Sequence, residues 1–146
     1  MSAGYSGTPM PQKLGIKPGA RVALLDAPAS FALALPDGAA LVDARARDVD
    51  VIVWFLTARA TFAKKLAAVA ARMQPAGGLW IAWPKKASGK ATDMTENVVR
   101  DVALPTGLVD NKVCAIDETW SGLRLVVRLE NRPTPPPRRA RATKAR

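Results

Sequence analysis

Apolar residues in this chain come in short unbroken runs, and two runs are dense: Val51-Ile52-Val53-Trp54-Phe55-Leu56 and Leu79-Trp80-Ile81-Ala82-Trp83. Unbroken runs of this length predict strands covered on both faces, as in a parallel sheet. The second run is entered through Gly77-Gly78 and left through Pro84-Lys85-Lys86, and the rest of the chain is organised around it. Between the two runs, Phe62, Leu66, Val69 and Met73 recur at helical spacing. They predict a helix over 59–73, capped by Thr57 and stopped by Pro75 and the glycine pair.

Weaker patterns fill in the rest. Thr8-Pro9 predicts a short helix running to Leu14. A first strand is expected over 21–25, a short apolar helix over 29–35 and a second strand over 40–43. Asp93, with Glu96 three residues later, forms a capping-box pattern ahead of Val98 and Val102. A fifth strand over 108–116, a turn over 117–122 and a sixth strand over 123–128 follow. In that last strand Arg124 and Arg128 fit a more exposed position. Strands alternating with helices, then a terminal hairpin, predict one α/β domain over 1–131. Its sheet is mainly parallel, helices cover both faces, and the last strand is antiparallel.

Composition narrows the chemistry. A chain of 146 residues that is 49% hydrophobic is the size of one globular domain. No apolar run approaches the length of a bilayer span. The single Cys114 has no internal disulfide partner, so a reducing cytoplasm is the expected setting. The chain has no histidine, which excludes histidine-dependent triads and histidine metal sites. One cysteine also excludes a thiolate zinc site, and no residue is assigned a catalytic role. The net charge of +10 is uneven. Arg132, Arg138, Arg139, Arg141, Lys144 and Arg146 stand among prolines with no acid from 132 to 146. That tail is expected to be disordered and is a nucleic-acid-binding candidate through counterion release.

The order of elements resembles class I methyltransferases. Leu14-Gly15-Ile16-Lys17-Pro18-Gly19-Ala20-Arg21-Val22 looks like that family's entry to its first strand. Asp50-Val51-Ile52-Val53 looks like its central strand, and Gln74-Pro75-Ala76-Gly77-Gly78-Leu79 like the turn into the next. The resemblance implies a three-layer Rossmann-like sheet of about six strands, ordered 2-1-3-4-6-5. It also implies S-adenosylmethionine as a cofactor, with Asp26 and Asp43 at the relevant strand ends. A closer resemblance is to the bacterial family known as domain of unknown function 3052. It is carried by Ala3-Gly4-Tyr5-Ser6-Gly7-Thr8-Pro9, by Leu79 through Lys86, and by Leu108 through Leu123. The first strand–helix turn, Leu25-Asp26-Ala27-Pro28-Ala29-Ser30-Phe31, has no glycine. Methyltransferases lay their cofactor against bare backbone there, so this turn argues against the cofactor.

In open parallel sheets, ligands bind beyond the carboxyl ends of the strands. On that edge a basic loop (Lys85, Lys86, Ser88, Lys90, Thr92) and an acidic turn (Asp117, Trp120, Ser121) are expected to share one crevice suited to a small anion. The leading expectation is a cytoplasmic, non-catalytic domain binding such a ligand, or a protein partner, at this edge. The alternatives are a nucleic-acid-associated protein acting through its tail, and a reduced S-adenosylmethionine-dependent enzyme.

Overall fold

A computed structural model describes residues 10–29, 31 and 33–128 of the chain. Thr8, Pro9 and the basic tail lie outside the described residues. Six strands make one sheet in the order β2-β1-β3-β4-β6-β5. They are β1 (Arg21–Leu25), β2 (Ala40–Leu41), β3 (Val49–Phe55), β4 (Met73–Pro84), β5 (Leu108–Ala115) and β6 (Trp120–Val127). The first four are parallel, and β6 runs antiparallel between β4 and β5. The helices are α1 (Met10–Lys13), α2 (Arg59–Ala70) and α3 (Glu96–Ala103). Class, strand order and the antiparallel strand are as expected.

The sheet is buried on both faces, which is why its central strands carry no polar alternation. On one face Ile52, Trp54, Leu79, Ile81, Leu123 and Leu125 pack with Phe62, Leu66 and Val69 of α2 and with Val99 and Ala103 of α3. On the other, Val51, Val53, Phe55, Trp80 and Trp120 meet Leu14, Ile16 and the half-buried Phe31, Leu33 and Leu35. Each large apolar side chain buried this way contributes roughly 1.5–3 kcal/mol. The indole N–H of Trp80 donates to the Leu14 carbonyl at 2.9 Å, so that buried polar atom is satisfied.

Several local expectations are corrected. No helix is seen among the described residues of 29–35. Phe31, Leu33 and Leu35 instead lay their side chains on the sheet, in a segment too short to hold a helix against Pro28 and Pro36. The crossover from β2 to β3 has only the seven residues Val42–Asp48, where a parallel crossover ordinarily needs a dozen or more. Val42 and Ala46 pack on the core in place of a helix. Their segment's carbonyls are met from outside: Arg72 donates to Ala44, and Arg21 donates to Arg47 at 2.9 Å and to Asp48 at 3.3 Å. Cationic side chains here replace the helical ladder that this stretch lacks.

Helix α2 stops at Ala70, and Met73 already belongs to β4. Val49 pairs with Met73 and Val51 with Gly78, so the four residues from Gln74 to Gly77 bulge out of the ladder. The glycine pair therefore lies inside β4 rather than ahead of it. Thr57 does not cap α2, and Asp93 does not cap α3. Thr95 caps α3, accepting from the Val98 N–H at 3.1 Å. Glu96 pairs with Arg100, whose Nε also reaches Asp110 at 3.0 Å and ties α3 to β5. No helix among the described residues is long and apolar enough to cross a membrane.

Candidate functional site

At the carboxyl edge, the basic loop and the hairpin bend do lie together. Pro84 pairs with Trp120 in the β4–β6 ladder, and the Lys85 N–H continues it by donating to the Thr119 carbonyl at 2.7 Å. The expected neighbourhood is present, but a direct backbone contact stands where a crevice was expected between the two segments.

The loop after β4 is ordered by its own polar side chains. Lys86–Ser88 form one 3-10 turn. The Ser88 hydroxyl donates to the Lys85 carbonyl at 2.7 Å and accepts from the Lys90 N–H at 3.2 Å. The Thr92 hydroxyl donates to the Thr57 carbonyl at 2.6 Å and accepts from the Met94 N–H at 3.0 Å. Asp93 Oδ1 accepts from the Arg59 N–H at 2.7 Å, so a residue from this loop caps α2. Met94 is buried in the core and fixes the loop's far end. No described hydrogen bond or ion pair involves the side chain of Lys85, Lys86 or Lys90, and the last two are exposed.

The acidic turn is committed to structure in the same way. Asp117 Oδ1 accepts from the N–H groups of Thr119 and Trp120, each at 2.8 Å. Trp120 is not in the turn: it opens β6, is only 7% exposed, and meets Phe55 edge-on with ring centres 5.0 Å apart. Phe31 also meets Phe55, with ring centres 5.0 Å apart. An indole placed this way fills the core and has no free face for a ligand. Ser121 pairs with Trp83 and Ala115, on the opposite face of the sheet from Trp120.

Asp43 closes its own turn, accepting from the Arg45 N–H at 2.7 Å. Asp26 holds a left-handed backbone, with φ of 56°. A glycine adopts this conformation without steric cost, whereas Asp26 places a side chain there. Cys114 is half-buried, and burial pushes its thiol up. No group of three or more metal-ligating side chains is found among the described residues.

The cavities lie elsewhere. A groove of about 530 Å³ starts at Leu25 and Asp26 and runs between α2 and the short crossover, past Arg45, Lys65 and Arg72. It occupies the space that a crossover helix would cover. A second, of about 300 Å³, opens at the amino edge of the sheet between Lys17, Asp50, Gln74 and Arg124. Sequence reasoning missed Arg124 as an inward-facing residue. The signal was the glycine at 78, which only the strand pairing places beneath it.

Comparison with solved structures shows the fold. A SAM dependent methyltransferase from Aquifex aeolicus aligns with a TM-score of 0.55 at 15% identity, over 80% of this chain and 87% of that one. A single-residue variant of LepI, in complex with SAH and a substrate analogue, aligns with a TM-score of 0.51 at 13% identity, over 82% of this chain and 39% of that one. A comparison with curated proteins gives no match. The model of one family, described as protein of unknown function (DUF3052), matches residues 25–129, well over half of the chain. A six-stranded methyltransferase-like sheet with its own short crossover is thus the form taken here by a chain that belongs to the DUF3052 family.

Proposed function

We propose that this chain is a non-catalytic, methyltransferase-like domain that binds a small anionic ligand at the carboxyl edge of its sheet. One observation carries the reading. Asp43, Ser88, Thr92, Asp93 and Asp117 each spend a side-chain oxygen on backbone groups, and so build the edge. The side chains of Lys85, Lys86 and Lys90 have no such structural duty among the described residues, and their backbone is ordered by one 3-10 turn and by Ser88. Ammonium groups held on an ordered backbone bind an anion with little further loss of entropy.

Two features speak against S-adenosylmethionine. Asp26 adds a side chain where a cofactor needs bare backbone, and Phe31 packs down on Phe55 beside that turn. Thermal denaturation with inorganic phosphate, a nucleoside triphosphate or S-adenosylmethionine tests the reading. Stabilisation by an anion, lost in the Lys85→Ala, Lys86→Ala double variant without a lower melting temperature of the free protein, is the expected result. Stabilisation by S-adenosylmethionine alone, unaffected by that variant, would replace this reading with the enzyme one.

A second reading rests on the tail. Six cations among prolines, with no acid, suit nucleic acid. Binding through them weakens with salt by a logarithmic slope of about −0.9 for each phosphate neutralised. Removal of residues 132–146 is expected to abolish it, and salt-independent binding would contradict it.

A further inference from the structure

The geometry points to a second site, at the opposite edge of the sheet, for a small ligand bearing a carboxylate or phosphate group. Its anchor is Arg124. In the β4–β6 ladder Arg124 pairs with Trp80, and strand alternation puts both on the face covered by Leu14 and Ile16. A cation on the inner face of a sheet carries a desolvation cost, and the chain makes room for it. A Cβ at Gly78 would lie 2.7 Å from Arg124 Cζ and closer still to its Nε, so the guanidinium lies directly on bare backbone. The side chain thereby reaches a cavity of about 300 Å³, at the small end of ligand-site volumes.

The lining explains the choice of ligand. Lys17 lines the same cavity as Arg124. The side-chain acceptors among the described lining residues are already engaged. Asp50 accepts from the Arg21 backbone N–H at 2.9 Å and from the Gln74 side-chain amide Nε2 at 3.2 Å, and Gln74 Oε1 accepts from the Ala76 N–H at 2.9 Å. Among the described residues that line the cavity, two cations therefore face one carboxylate, whose oxygens are occupied. A guanidinium has five donors in a planar fork, so it can take an oxyanion two-pronged while keeping another partner. The site is independent of the lysine loop at the carboxyl edge.

The test is a two-dimensional NMR titration of the full chain with inorganic phosphate and, separately, with succinate. Saturable shifts of the Gly15, Gly19, Gly77 and Gly78 amides with either probe are expected, and the responding probe names the anion class. Arg124→Gln should weaken that binding by about tenfold or more, the usual effect of losing a charge-assisted hydrogen bond. Lys17→Ala, on an exposed residue whose loss does not threaten folding, should weaken it severalfold. The Lys85→Ala, Lys86→Ala double variant should leave it unchanged, even if binding at the carboxyl edge fails. The proposal is overturned if neither probe moves those amides saturably. It is also overturned if Lys17→Ala and any folded Arg124 variant bind like the parent, or if the lysine-loop variant abolishes the response.

Discussion

The backbone N–H of Arg59 donates to Asp93 Oδ1 at 2.7 Å, so α2 is capped by a residue 34 positions further along the chain. The Asp93 N–H in turn donates to the Thr57 carbonyl at 3.4 Å, just ahead of that helix. The loop after β4 is thus held down on the end of β3. Asp93→Ala is expected to cost about 1 kcal/mol. The loss should appear as faster hydrogen exchange in the first turn of α2, while α3, capped by Thr95, stays protected. If exchange rises in α3 instead, the capping assignment is wrong.

Gly77 tests the bulge at the start of β4. A Cβ there would lie 2.7 Å from the Asp50 carbonyl oxygen and 2.9 Å from Met73 Cγ. Backbone cannot yield without loosening the β3–β4 pairing, so Gly77→Ala should destabilise by about 1–3 kcal/mol in urea unfolding. Gly122→Ala should cost less, since its nearest neighbour is the movable end of Ile116, at 2.7 Å. Equal costs would mean that the bulge relaxes freely.

Trp120 distinguishes packing from recognition. With its ring against Phe55, Trp120→Ala should destabilise by about 3–5 kcal/mol. Under conditions where the variant remains folded, its affinity for phosphate at either edge should match the parent's. A stable variant with lost binding would show that the ring serves a ligand.

Cys114 sets a pH dependence. Burial raises its thiol above the ordinary value of 9.0, with opposing contributions from Lys13 and Lys112. The folded chain then keeps this proton to higher pH than the unfolded chain does. Its contribution to stability is complete below the unfolded value and is lost as pH rises through the folded one. Cys114→Ser should flatten the alkaline side of the stability profile, measured by urea unfolding between pH 8 and about 10.5. An unchanged slope would assign that region to other groups.

Much of this architecture was legible in local pattern. Val51 to Leu56 and Leu79 to Trp83 are apolar without interruption because both faces of the sheet are covered, and that requirement is written residue by residue. The stripe of Phe62, Leu66 and Val69 placed α2 in the same way. The shared edge of Lys85 and the hairpin bend followed from strand order alone, and the Lys85–Thr119 contact fulfils it.

What local pattern could not supply was the choice among competing partners. Asp93 and Thr95 are both good caps for α3, and only the packing of the loop on Thr57 sends Asp93 to α2. Phe31, Leu33 and Leu35 suit a helix or an extended segment equally, and the sheet beneath them selects the extended form. Arg124 reads as exposed until the β4–β6 register lays it over Gly78. Which segments are buried can be read locally, because burial depends on each side chain's own transfer free energy. Which polar atoms meet emerges only in three dimensions, because a hydrogen bond needs two groups whose positions are set by different parts of the chain.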